Sequence, residues 1–415
     1  MKTIHEINEM YKKTFYTEDD VVLPLLISMV IGSKLRGPAV WLYLIGPSSN
    51  GKSELITTFS NVKFVRQISD LTTNTFLSGF SSGKKEASLL KELGLNFVVV
   101  MKDFTTILSK SDESQEAIIA QMREIYDGHM VKYTGTGQML EWGPGGKGTF
   151  LMATTESIYA AQDKFSDMGT RAINYVMKPQ DRRITTKRAL RNTSKIDSER
   201  EAIQEAVSEF IMNKIQELPA YLPDISEELE DQIIEVADFS ETCRSIVKRD
   251  YRGAKNLALS AGMPMRMAKQ LLAIAQQITY VYDGVLPDEV KQAIFKTGFD
   301  SIPKQRRLIL ETMAKFDKVN IAGLSDKMGY PDTRCREWVE DLQMFGVTRR
   351  IKAGKREYWE LAPEHKEIMN KYFTITHEGA VLDSDREESG GYGNYQEISR
   401  TVDEKQDEAD INAMF

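Results

Sequence analysis

Residues 46–53 read Gly-Pro-Ser-Ser-Asn-Gly-Lys-Ser, and no other stretch of the 415-residue chain limits its fold so tightly. The run before it, 39–45, is apolar and β-type, while the run after it carries Leu55, Ile56 and Phe59 on helical spacing. A pliable eight-residue loop between a buried strand and a helix has the form of a phosphate loop. Gly46, Pro47, Ser48, Ser49, Asn50 and Gly51 give a backbone whose N–H groups can curl around a polyphosphate, and the helix start adds the positive end of its dipole. Lys52 is then placed to reach the β- and γ-phosphates, and Ser53 to offer a hydroxyl to a metal. ATP and Mg2+ are the expected cofactors.

Composition narrows the remaining choices. The length suits two or three domains with sizeable cores. The longest apolar run, 21–31, contains Pro24, falls short of a membrane span and lacks the design of a signal peptide, so a soluble cytoplasmic protein with no membrane partner is expected. Cys243 and Cys335 stand far apart with no His or Cys at metal spacing, which argues for two buried thiols rather than a disulfide or zinc site. The net charge of −7 is misleading as an average. From residue 376 onward there are eleven acids against three basic residues, a balance of −8 that leaves the body near +1.

Residues 1–37 read as a helical arm, with Thr17 as the cap of a helix whose first turn holds Glu18, Asp19 and Asp20. Residues 63–68 form a second strand, and 96–101 a third, continuous and β-rich as in a parallel sheet covered on both faces. Asp103, just beyond that strand, is the expected second Mg2+ anchor beside Ser53. A helix over 114–126, a hairpin over 131–142, and strands at 149–153 and 172–177 follow. The stretch from about 180 to 300 reads as helical throughout. The whole is an α/β core with a parallel sheet (38–180) and a helical lid (181–300).

Residues 301–365 make a separate block. Helices over 305–316, 321–328 and 333–345 precede a hairpin of 347–352 and 356–361, the pattern of a winged helix. Over 303–361 its thirteen Lys and Arg exceed nine acids, and the excess lies at Arg334, Arg336, Arg349, Arg350, Lys352, Lys355 and Arg356. Such a patch suits phosphate contacts with DNA.

In this order the phosphate loop, Lys102-Asp103-Phe104, the run 123–128, a hairpin before the fourth strand, Gly169-Thr170-Arg171 and Pro264-Met265-Arg266 resemble an AAA+ ATPase. More narrowly, residues 39–361 resemble the phage and mobile-island replicative ATPases related to minichromosome maintenance helicases. That resemblance implies Thr155 or Thr154 as sensor 1, Arg171 as an arginine finger and Arg266 as sensor 2, with the finger acting across a head-to-tail interface that closes into a ring, such as a hexamer. The catalytic Glu that many AAA+ proteins carry after the Walker-B Asp is replaced by Phe104, leaving Glu54, Asp70 or Glu124 to polarise water. Superfamily-three viral helicases also favour Asn-Gly-Lys-Ser, but the Asn they place after the next strand is missing at Thr154 and Thr155.

The resemblance implies an ATP-dependent DNA helicase or DNA-remodelling ATPase of phage or mobile-element replication, on single-stranded or forked DNA. The alternative is an ATP-switched initiator or helicase loader with little unwinding. Lys132 and Lys147 are expected to track DNA from the hairpin and pore. The segment 376–415 reads as an acidic disordered tail, whose end, with Ile411, Met414 and Phe415, resembles the tip of bacterial single-stranded-DNA-binding proteins and would dock a host replication protein.

Overall fold

A computed structural model describes residues 2–384, apart from 80, 83–84, 87, 136, 162–170, 193–194, 220, 246, 250–254, 259–261, 355 and 374–375. Its centre is a five-stranded parallel sheet built from β1 (Trp41–Ile45), β2 (Val65–Ile68), β3 (Asn96–Met101), β4 (Lys147–Thr154) and β5 (Ala172–Val176), in the spatial order β2-β3-β4-β1-β5. Both faces are buried, and alternation divides the side chains between two cores. Leu42, Leu44, Val98, Val100, Leu151 and Ile173 face one, and Trp41, Tyr43, Phe97, Val99, Phe150 and Met152 face the other.

On the first face lie helices Ile4–Phe15 and Val22–Gly32, the short helix Lys52–Thr57, and the long helices Ile196–Gln216, Glu227–Arg244, Met265–Val281 and Asp288–Asp300. The helix Asp112–Tyr126 covers the second face. The β5 edge is closed by the end of Asp288–Asp300. There Asn174 N–H donates to Ser301 Oγ (2.9 Å) and Val176 N–H to Asp300 Oδ2 (2.7 Å), which removes an open sheet edge.

Three expectations are corrected. Thr17 does not cap a helix. Thr3 caps the first helix in a reciprocal box with Glu6, the second starts at Val22, and Asp19 turns inward to accept from Tyr175 Oη (2.7 Å) and Lys178 N–H (3.2 Å). The stretch 180–300 is not helical throughout, because Val247–Arg249 and Lys255–Ala258 pair as an antiparallel hairpin. The acidic segment is ordered further than expected: Gly379–Leu382 pairs in parallel with Phe316–Val319, while 385–415 lies outside the described residues.

Beyond the lid, helices Lys304–Ala314, Ile321–Met328, Asp332–Met344 and Pro363–Tyr372 pack on a four-stranded sheet, ordered Thr348–Ala353, Arg356–Leu361, Phe316–Val319, Gly379–Leu382. Its core continues into the lid through Phe239, Cys243 and Phe299. Two of the block's basic residues are structural. Arg306 donates to the carbonyls of Cys243 and Ser245 and pairs with Asp341 (3.2 Å), and Arg307 pairs with Asp300 (3.0 Å). Cys243 and Cys335 are both buried free thiols. No helix among the described residues is long and apolar enough to cross a membrane.

Candidate phosphate-loop site

Strand order decides what meets at the carboxyl edge of the sheet. β1 runs directly into the loop 46–51, β4 lies beside it and β3 beyond β4, so the phosphate loop, Thr155 and Asp103 stand at the ends of three adjacent strands. The loop's turn rests on two left-handed residues, Ser49 (φ 62°) and Gly51 (φ 78°), the second of which hands over to the helix at Lys52. Gly46 is closely packed, since a Cβ there would come within 3.1 Å of Asn50 Nδ2.

Lys52 is buried, and its ammonium donates to the carbonyls of Gly46 (2.8 Å) and Pro47 (2.5 Å), its own loop's backbone. Burial lowers its pKa, and the charge of Asp103 acts in the opposite direction, which places the two groups within electrostatic reach. Asn50 Nδ2 is buried with no hydrogen-bond partner among the described residues, a donor held inside a loop of N–H groups. Together these donors fit a polyphosphate. Ser53 is exposed at the first turn of the helix, and Asp103 is exposed with Oδ1 accepting from Thr105 N–H (2.9 Å) and Oγ1 (2.5 Å), which fixes the carboxylate at the strand end. A hydroxyl and one carboxylate fit Mg2+, which keeps most of its shell as water and phosphate oxygen.

Phe104 is committed to packing. Its N–H donates to Ala153 O (2.7 Å), and its buried ring lies 5.1 Å from that of Tyr43, so no acid could replace it without entering the core. Of the three acids offered in its stead, Glu54 is held by Arg200 of the helix Ile196–Gln216 through two bonds (2.9 and 3.0 Å). Glu124 sits near the end of Asp112–Tyr126, whose Tyr126 packs edge-on against Trp41 (5.3 Å) at the opposite rim of the sheet. Asp70 follows β2 at the same rim as Asp103, beside Thr106, which donates to the carbonyls of Ser69 (3.4 Å) and Asp103 (3.1 Å). It pairs with Lys110 (2.9 Å). Thr155 Oγ1 shares a hydrogen bond with Ser157 Oγ (2.8 Å), and the neighbouring Thr154 is buried.

Arg171 immediately precedes β5, at the amino rim. It pairs with Asp127 (2.8 Å), its backbone carbonyl accepts from Gln270 Nε2 (2.7 Å), and its guanidinium lies 6.0 Å from the Tyr126 ring. Arg266 shares this rim: burial pushes Tyr126 up to about 12 while the charges of Arg266 and Arg171 oppose the shift. The two arginines are thus gathered with each other and separated from the phosphate loop of their own chain by the length of a five-residue strand, roughly 17 Å.

The two lysines expected to track DNA are both engaged within the chain. Lys132 is anchored by three bonds, to Thr73 O (3.1 Å), Asn74 Oδ1 (2.9 Å) and Leu77 O (3.1 Å). Lys147 donates to Gly32 O and Leu35 O (both 2.9 Å) at the carbonyl end of the helix Val22–Gly32, and burial lowers its pKa to about 8. Their partners lie 55 or more residues away in sequence, so nothing local signalled these anchors. Lys147→Met should therefore cost roughly 1–3 kcal/mol in a urea unfolding titration, since two carbonyls lose their donor, and leave DNA affinity unchanged. A loss of affinity without a loss of stability would restore the DNA role.

The basic residues of the C-terminal block are largely engaged. Arg334 pairs with Glu337 (2.9 Å), Arg349 with Glu364 (3.2 Å), Arg350 with Glu357 and Arg356 with Asp383 (2.6 Å); Arg336 also has a partner, and Lys352 is exposed. Lys355 lies outside the described residues, as do Gly169 and Thr170.

No family model matches the chain, and no curated protein matches it. Among solved structures, it is similar to a crystal structure described as a "putative ATPase" from Cytophaga hutchinsonii, with 16% identity over 72% of this chain and 85% of that one, at a TM-score of 0.39. A likeness that loose adds nothing to the geometry.

Proposed function

We propose that the chain is an oligomeric AAA+ ATPase that couples ATP hydrolysis to movement on, or remodelling of, DNA in phage or mobile-element replication. The observation that carries the reading is the division of the site between two rims. Phosphate loop, Asp103 and Thr155 share the carboxyl rim, and Arg171 with Arg266 share the amino rim. A subunit stacked head to tail on a second copy would bring the arginine rim of one to the phosphate loop of the next, and repetition of that contact closes a ring.

In such a site the backbone N–H groups of 46–51 and Asn50 orient the phosphates, and Lys52 exchanges its two carbonyl partners for phosphate oxygens. Mg2+, when bound by Ser53 and Asp103, would neutralise charge on the β- and γ-oxygens. Asp70 is the acid best placed at the phosphate rim to orient the attacking water and accept its proton, once Lys110 releases it. The partner copy's guanidinium would offset charge that develops on the γ-oxygens during transfer.

The DNA contact passes from lysines to the hairpin Met130–Tyr133 and Met139–Trp142. With Lys132, Leu140 and Trp142 turned inward, alternation leaves Val131, Tyr133 and Met139 exposed, Tyr133 at 72%, around a glycine-containing tip. An exposed aromatic at a hairpin tip can stack on an unpaired base, worth about 1–3 kcal/mol. Tyr133→Ala should reduce DNA stimulation of the ATPase about tenfold while the DNA-free rate is unchanged. Equal stimulation in both proteins would remove the hairpin from the DNA path. Strand displacement from a forked duplex with ATP, beside Lys52→Ala, tests the function. Lys52-dependent displacement supports the helicase, and hydrolysis without displacement supports the loader or initiator.

A further inference from the structure

The first ordered part of the acidic segment is bound where a polyanion would bind. Glu378 places its two carboxylate oxygens on two ammonium groups, Oε1 on Lys315 (3.0 Å), which follows the helix Lys304–Ala314, and Oε2 on Lys327 (2.6 Å) of the helix Ile321–Met328, and these lysines hold its carboxyl below the ordinary range. Five residues on, Asp383 Oδ2 accepts from Arg356 Nη1 (2.6 Å) and Tyr358 Oη (2.8 Å), while Oδ1 accepts from Asn320 Nδ2. Lysine pairs, arginine, tyrosine and asparagine side chains are the donor set that proteins use on nucleic-acid phosphates. Between the two carboxylates runs Gly379–Leu382, extended along Phe316–Val319, so the acids are held roughly 17 Å apart on one line.

The strap is weakly held otherwise. It is a short parallel edge strand with Val381 41% exposed, and its ion pairs lie at the surface, where solvent screens them. Beyond it the sequence adds nine more acids against three basic residues over 385–415.

We infer that Lys315, Lys327, Arg356, Tyr358 and Asn320 form a phosphate-binding face for DNA, and that the acidic segment beginning at Glu378 occupies this face in the free chain as an intramolecular competitor. The inference rests on the reading that the chain binds DNA; it keeps only Arg356 of the basic patch already considered, adds Lys315, Lys327, Tyr358 and Asn320 to it, and supplies its regulation. DNA engages the face by displacing the strap, so the resting protein binds weakly and the strap's release is a step in loading.

The test compares DNA binding, by fluorescence anisotropy across a salt series, for the full chain, the Glu378→Gln/Asp383→Asn variant, and a chain ending at 384. The double variant should bind about tenfold tighter at low salt, with a log–log salt slope steeper by roughly two as two further phosphates are engaged. The shortened chain should share part of that gain. Adding Lys315→Ala and Lys327→Ala to the double variant should abolish it. Equal or weaker binding by the double variant, with its thermal unfolding unchanged, overturns the inference while leaving DNA binding itself intact. If no form binds DNA at any salt, the DNA reading fails and the inference falls with it.

Discussion

Arg171→Ala protein is expected to bind ATP as tightly as the unaltered chain and to hydrolyse it at least ~10^3-fold more slowly, the scale set by loss of an arginine finger. Binding survives because Arg171 lies at the amino rim, a strand's length from its own phosphate loop, and its contacts there are with Asp127 and Tyr126. Hydrolysis fails because the neighbour's γ-phosphate loses the guanidinium proposed to offset its developing charge. Mixing Arg171→Ala with Lys52→Ala protein should restore measurable turnover. Each variant supplies what the other lacks, an intact phosphate loop from the first and an intact arginine from the second. Absence of any recovery, with both variants assembled, would show that Arg171 does not act between subunits.

Asp103→Ala should lower turnover by about 10^2-fold or more and weaken its dependence on Mg2+, because removal of the carboxylate leaves Ser53 as the only side-chain ligand proposed for the metal. The substitution also frees Thr105, whose N–H and hydroxyl cap onto Asp103 Oδ1. Asp103→Asn separates the two effects, since it retains an acceptor for Thr105 while losing the negative charge. Turnover at the original rate in Asp103→Asn would place the metal elsewhere.

What could be read from the sequence followed from strong local physics. The strands around 41–45, 96–101 and 172–176 are short apolar runs with both faces to bury, and the loop 46–53 has spacing that only a strand-to-helix turn accommodates. The hairpin over 130–142 was legible from its glycines and alternation. Long-range polar contacts were not. Asp19 has the look of a first-turn helix acid and instead accepts from Tyr175, 156 residues away, and Lys147 finds its carbonyls 112 and 115 residues away. A basic balance also says nothing about pairing, so the ion pairs of Arg349, Arg350 and Arg356 were invisible. The strand Gly379–Leu382 was missed because four residues flanked by acids carry little β signal apart from their register against Phe316–Val319.

The most direct measurement is steady-state phosphate release from Mg2+–ATP by the unaltered chain and by Lys52→Ala, each at several protein concentrations. The account predicts turnover in the unaltered chain that rises in specific activity as subunits assemble and that falls to background in Lys52→Ala, whose ammonium is the loop's buried cation. Turnover that persists in Lys52→Ala, or an unaltered chain that releases no phosphate at any concentration with or without DNA, would contradict it.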